Sequence, residues 1–304
     1  MNPESVKARL KNYAKMNSLT FQEVLTYYGI ERAIYRVSIS DYANRFILKG
    51  GIFLYAIFDG KYSRATTDID FLGRRVSNSR DELEAIFKSI LSQDLDDALI
   101  FDIDSINVEE ISELKEYHGL RISTTAFLDR TRIPISIDIG FGDVIYPKVV
   151  KMDFPSILDM PSPNLNVYSL ESAVAEKLES IVKNGFWNSR YKDFYDLYIL
   201  SKKFKFHYCD LRNAVIETFK NRNTEMTMNT AAFSEEFAQD SLHIKRWSSF
   251  VKKKKAIVAL SLQEALARIK IFVAPLFEVR TDLSAWNPED GVWKTLKKTE
   301  NNSV

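Results

Sequence analysis

The chain has 304 residues, of which 45% are hydrophobic and 27% charged, and carries a net charge of +1, so it reads as an ordinary soluble globular protein of one large or two modest domains. The single Cys209 excludes an internal disulfide framework, and His118, His207 and His243 are too scattered for a zinc site. Met1 to Leu19 is too polar for a secretory signal and no apolar run reaches membrane-spanning length, so a cytoplasmic protein with no membrane partner is expected. The charge is segregated: residues 241–304 hold 12 Lys/Arg against 6 Asp/Glu, or +6, which leaves −5 on residues 1–240.

Residues 4–36 read as helices, with Phe21, Val24, Leu25 and Tyr28 forming an apolar stripe at i, i+3, i+4 and i+7. A further helix is expected from Ser40-Asp41 into Phe46-Ile47-Leu48-Lys49-Gly50-Gly51. Glycine has no Cβ and tolerates strained turns, so Gly50 and Gly51 would let backbone N–H groups approach a phosphate; the plain alternative is an ordinary turn or helix start.

Arg64-Ala65-Thr66-Thr67-Asp68-Ile69-Asp70-Phe71 follows. Side chains alternate on a strand, so Asp68 and Asp70 project together, about 7 Å apart at their Cα atoms, with Ile69 on the other face. Two carboxylates on one face make a platform for Mg²⁺, which prefers hard oxygen ligands and is usually held by one or two carboxylates plus substrate phosphates. A lone Asp-x-Asp is more often the polar face of a half-exposed strand.

A helix is expected near 79–92, with Ser79 as N-cap and Glu82 completing a capping box. Phe101-Asp102-Ile103-Asp104-Ser105-Ile106 is a second Asp-x-Asp, but it lacks an upstream Gly-Gly and a nearby Arg-x-Thr. Asp94, Asp96 and Asp97 before it suggest a solvated acidic loop. Residues 117–128 read as a strand, and Arg132 to Gly140 as another, with Ile133, Ile135, Ile137 and Ile139 on one face and Ser136 and Asp138 on the other. If this strand pairs beside the first, Asp138 joins Asp68 and Asp70 in a triad able to hold two metals and activate an attacking hydroxyl; otherwise it is a partly solvated strand.

Prolines at 155, 161 and 163 mark a connection over 153–166, dividing the chain into domains 1–160 and 161–304. The expected fold class is α/β or α+β: a mixed sheet with flanking helices, then a mainly helical C-terminal domain. In that domain Ser169 should cap a helix with Glu171 in its first turn, a stripe of Leu170, Val174, Leu178 and Ile181, and an end near Gly185. Lys177 lies at the stripe's edge, where a lysine ordinarily snorkels along the core. After Ser189, Asp193 and Asp196 are i, i+3 neighbours and Lys192 and Asp196 are i, i+4, which suits surface salt bridges; Tyr191, Tyr195 and Tyr198 suit packing. Ile257 to Ala274 reads as a buried helix ended by Pro275, and the polar tail after about 281 is expected to fray. Lys252 to Lys255 suits either a solvated helix start or an RNA backbone.

Five blocks taken together resemble the AbiEii/AbiGii-type toxins, a branch of the DNA polymerase β-like nucleotidyltransferases. They are Lys49-Gly50-Gly51 with Leu54, Arg64-x-Thr66-x-Asp68-x-Asp70, Asp138-Ile-Gly-Phe-Gly-Asp143, Ala175-Glu176-Lys177-Leu178, and Arg190-Tyr-Lys192-Asp193-Phe-Tyr-Asp196-Leu-Tyr198, in the right order across most of the chain. The resemblance implies a nucleotidyltransferase-like sheet domain and Mg²⁺-dependent transfer from an NTP to an RNA 3′ end, tRNA foremost. It further implies a cognate antitoxin encoded nearby, in a toxin–antitoxin or phage-defence pair. On it, Asp68, Asp70 and Asp138 are metal and catalytic residues, Lys177 offsets phosphoryl charge and Asp193 orients it. Gly50 and Gly51 position phosphates, with Lys49, Arg64, Lys192 and Asp196 as secondary nucleotide contacts. Two rivals stay open: a non-catalytic NTP- or RNA-binding protein, and a nucleotidyltransferase whose acceptor is a protein or small molecule.

Overall fold

The computed structural model describes residues 1–61, 66–111, 119–253 and 260–296. The chain divides into two compact units, Met1–Asp143 with Val149–Tyr168, and Val144–Lys148 with Ser169–Val304. No helix among the described residues is long and apolar enough to cross a membrane.

The first unit opens with α1 (Pro3–Met16), capped by Asn2, and α2 (Phe21–Ser38), whose Thr20 and Glu23 form a reciprocal capping box. Residues 40–45 are turns, not the expected helix. The Ser40 hydroxyl accepts the Tyr42 amide, and short i to i+3 bonds close at Ala43 and Arg45; a serine that bonds its own backbone neighbours competes with helix. The buried run that follows is β1 (Phe46–Lys49), and only then does α3 (Gly50–Ile57) begin.

After β2 (Asp68–Gly73) comes α4 (Arg80–Leu91), where Ser79 holds the N-cap position without a side-chain cap bond, so the expected capping box does not form. The strands β3 (Leu99–Phe101), β4 (Asn107–Glu110), β5 (Leu120–Leu128), β6 (Thr131–Phe141), β7 (Val150–Asp153) and β8 (Asn164–Val167) follow. The last two overlap the two ends of the stretch 153–166 read as a proline-rich connection. The sheet order is β3-β5-β6-β2-β1-β8-β7, with β4 also on β5. It is mixed: β2 runs parallel to β6 and β1 parallel to β8, while β1–β2 and β5–β6 are antiparallel.

One face of this sheet is sealed. Ile133, Ile135, Ile137 and Ile139 are buried as their alternation requires, and α2 lies so close that a Cβ on Gly29 would stand 2.7 Å from the Ile133 side chain. Each such side chain contributes about 1.5–3 kcal/mol by leaving water. The acidic loop is only partly solvated: Asp94 and Asp96 are exposed, but Asp97 is buried and accepts two bonds from Arg36, at 2.6 and 3.2 Å. Asp102 caps a single 3-10 turn through the Ser105 amide at 3.3 Å, which accounts for the second Asp-x-Asp as local structure.

The second unit contains α5 (Leu170–Asn184), α6 (Tyr191–Lys203), β9 (Phe206–His207), α7 (Tyr208–Asn221), α8 (Glu235–Gln239), α9 (Ser241–Lys253), α10 (Leu262–Val273), β10 (Leu283–Asn287) and β11 (Val292–Thr295). Ser169 caps α5 as expected, and α10 starts later than read, at a Ser261–Glu264 capping box. The segment 283–295, expected to fray, is instead a hairpin that pairs with β9. Trp286 is 1% exposed and donates its indole N–H to the Ser201 carbonyl at 2.7 Å. Trp293 stacks on Phe272. Two tryptophans anchor a tail whose mean polarity hides them.

Candidate functional site

The register of four strands assembles a row of charged residues in the first unit. Lys49 on β1 pairs with Asp70 on β2, Asp70 with Asp138 on β6, and Asp138 with Arg121 on β5. Residues paired in register share a face, and Asp68 shares it by the period of two, opposite Ser136. Their neighbours Ile69, Phe71, Ile137 and Ile139 are buried on the other side, while Asp68, Asp70 and Asp138 are half-buried. The apolar face therefore orients the acidic one.

Gly50 meets a demand no other residue satisfies at that point. Its φ is +69°, and a Cβ there would fall 2.0 Å from Asp70 Oδ2 and 2.8 Å from Asp70 Cβ. The start of α3 thus abuts the Asp70 carboxylate. Gly51 is buried in the same first turn, and Lys49, the N-cap residue, makes no side-chain cap bond. First-turn N–H groups have no acceptor within their own helix and carry the positive end of its dipole.

Lys49 turns its ammonium to Asp143, at 2.5 Å, with the Tyr168 hydroxyl 3.5 Å from each. Asp143 closes the Asp138-Ile-Gly-Phe-Gly block, and no pattern in the sequence marks it as the partner of Lys49; Gly142, with φ +81°, makes the turn before it. Arg121 escaped the sequence reading altogether. Its Nε and one Nη donate to the two oxygens of Asp138, both at 2.7 Å, with side-chain exposures of 43% and 18%. These bonds hold the guanidinium above its usual range against the partial burial that lowers it, and the charges of Asp138, Asp68 and Asp70 add to the rise. The signal that would have found it is alternation along β5 followed by pairing with β6. Among the described residues, no three acidic, histidine or cysteine side chains converge as a ready metal cage. The three expected carboxylates share a face, but Asp138 is bound to Arg121.

The second unit holds the other expected residues. Lys177 on α5 donates to Asp196 on α6 at 2.6 Å and lies 3.6 Å from Asp193, with 11% of its side chain exposed. Asp193 also accepts from Arg190 Nε at 2.7 Å and from the Ser180 hydroxyl at 3.3 Å. Burial pushes the Asp193 carboxyl up, but the Lys177 and Arg190 cations outweigh it and hold the group at about 2. Asp193 and Asp196 are therefore buried ion-pair members rather than surface charges, and Asp196 holds Lys177 more closely than Asp193 does. Lys192 is exposed. Tyr191 and Tyr195 are buried, Tyr191 sharing a hydrogen bond with His243 Nδ1 at 2.7 Å, so these tyrosines pack the unit. Arg64, Lys254 and Lys255 lie outside the described residues.

Comparison with curated proteins returns no match. Among solved structures, MenT4, a nucleotidyltransferase toxin from Mycobacterium tuberculosis, shares the fold with a TM-score of 0.53 at 16% identity, covering 89% of this chain and 97% of its own. JHP933 from Helicobacter pylori aligns with a TM-score of 0.47 at 14% identity, over 83% of this chain and 91% of its own. The model of the nucleotidyl transferase AbiEii toxin family, of type IV toxin–antitoxin systems, matches residues 32–268, a span that includes both charged clusters. A chain matched over that length, with the fold of a nucleotidyltransferase toxin, belongs to the AbiEii family of nucleotidyltransferase toxins, for which a nucleotide substrate and a cognate antitoxin follow.

Proposed function

We propose that this nucleotidyltransferase carries out Mg²⁺-dependent transfer from an NTP to the 3′ end of an RNA, with tRNA as the first acceptor to test. The observation that carries the reading is the register of β2 against β6, which sets Asp138 beside Asp70 with Asp68 on the same face. Hard carboxylate oxygens on one sheet face fit a magnesium ion that completes its shell with phosphate and water. Asp68 and Asp70 would hold it, and it would supply neutralisation of the triphosphate charge during in-line displacement. Asp138 would accept the acceptor hydroxyl's proton or hold a second cation.

The first turn of α3 would offer its N–H groups to phosphate oxygens, with Gly50 and Gly51 allowing a close approach. Lys49, fixed by Asp143, is a further phosphate contact, and Arg64 another. In the second unit, Lys177 is assigned to the charge on the transferred phosphoryl group by the family resemblance, with Asp193 and Asp196 fixing its ammonium and Lys192 as a peripheral nucleotide contact. Such transfer depends on positioning and electrostatics, so each carboxylate lost should be costly. The antitoxin is expected to be encoded next door, in a toxin–antitoxin or phage-defence pair.

The test is incubation of the purified protein with Mg²⁺, each α-labelled NTP and total cellular RNA, beside Asp68→Ala and Lys177→Ala. Label on a tRNA-sized band, lost in both variants, supports the reading. Label on protein or small molecules replaces the acceptor. Absence of label in every fraction, with growth inhibition surviving Asp68→Ala, overturns it in favour of a non-catalytic binder.

A further inference from the structure

Three like charges on one sheet face repel one another; the register places Lys49 beside Asp70 and Arg121 beside Asp138, and Arg121 binds its carboxylate directly. It takes both oxygens of Asp138 in a planar fork, the geometry that makes arginine–carboxylate pairs strong. Yet the fork is not locked in the core: 43% of the Arg121 side chain is exposed, against 18% of Asp138. Partly solvated pairs of this kind contribute modestly and can open. A cation that takes both Asp138 oxygens from the side that the guanidinium occupies has to displace the fork, and one that binds a remaining lone pair meets the guanidinium charge at close range.

We infer that Arg121 is a positioning residue that competes with the divalent cation for Asp138, holding that carboxylate away from Asp68 and Asp70 until the cation and its nucleotide arrive. This rests on the metal-site reading above and deepens it. Arg121 keeps the face neutral enough to stay assembled and sets how readily Asp138 becomes a ligand. Once displaced, the guanidinium stands at the same face, where its charge complements a phosphate.

The prediction is read by cation binding, using Mn²⁺ and electron paramagnetic resonance of the free ion, with no nucleotide present. Arg121→Gln should bind Mn²⁺ about tenfold more tightly than the intact chain, and Arg121→Lys, which keeps the charge but loses the fork, by a smaller factor. The effect should vanish in an Asp138→Asn background, because the competition runs through that carboxylate. Circular dichroism and urea unfolding should show all variants folded, given the exposure of Arg121. Unchanged or weaker Mn²⁺ binding by Arg121→Gln overturns the inference, as does equal tightening in the Asp138→Asn background, which would mark a general charge effect. If the intact chain binds Mn²⁺ no better than an Asp68→Asn/Asp70→Asn variant, the metal-site reading itself falls and takes the inference with it.

Discussion

The Asp138–Arg121 pair of the first unit and the Lys177–Asp193–Asp196 cluster of the second use the same chemistry on different supports. Asp138 and Arg121 stand on neighbouring strands at a half-open face, with side-chain exposures of 18% and 43%. Lys177, Asp193 and Asp196 join two helices, with exposures of 11%, 5% and 0%. Burial decides what such a pair is for. Charges that have left water cannot lose a partner cheaply, so the helical cluster has a structural duty whatever else it does. Charges still in touch with water can exchange partners, which is what a ligand-binding face requires.

The sharpest way to break this contrast is Asp68→Ala. Transfer should fall by about a thousand-fold or more, close to 4 kcal/mol of transition-state stabilisation, with little change in unfolding free energy. Near-normal transfer by the folded variant would remove Asp68 from the metal site.

Asp196→Ala comes next and should read the other way. It leaves buried Lys177 with only the longer 3.6 Å pairing to Asp193 and should cost about 3 kcal/mol in urea unfolding, whereas Asp138→Ala should cost less than about 1 kcal/mol. Equal costs would dissolve the distinction between the two clusters.

Acid sharpens the comparison further. Because the Asp193 carboxyl is held at about 2, below the ordinary 3.8, its stabilisation is complete above the ordinary value and is lost as pH falls through the lowered one. Between about pH 4 and pH 2 the intact chain should lose about 2 kcal/mol more than Asp193→Asn, measured as the difference in slope of unfolding free energy against pH. Parallel slopes would mean that Asp193 is not ion-paired as described. The smallest effect belongs to Lys192→Ala, an exposed position on the same helix, which should stay within about 0.5 kcal/mol in unfolding. A larger loss of stability would make Lys192 part of the buried cluster.

The strands carrying the carboxylates were legible because alternation is a local property. Ile133, Ile135, Ile137 and Ile139 announced a buried face, and Asp138 had to lie opposite; Asp68 and Asp70 followed by the same rule. Gly50 was legible as an unusual backbone position, though the Cβ-sized gap it leaves for Asp70 was not. Where local signals competed, the reading failed. Ser40 bonded its own turn and cut off an expected helix, Ser79 sat at a helix start without capping it, and Trp286 turned a polar tail into a hairpin by finding an apolar partner.

Sequence by itself therefore determined which residues share a face, which segments could be strands or helices, and which blocks mark the family, because period, capping and chain order are carried by neighbours along the chain. Only the tertiary structure decided that Asp138 falls beside Asp70, that Arg121 closes on Asp138, that Lys49 pairs with Asp143, and that Lys177 prefers Asp196 to Asp193. Those choices rest on strand register and helix packing between segments up to 94 residues apart. Their energies are settled by burial of side chains distant in sequence, and no local window contains that quantity.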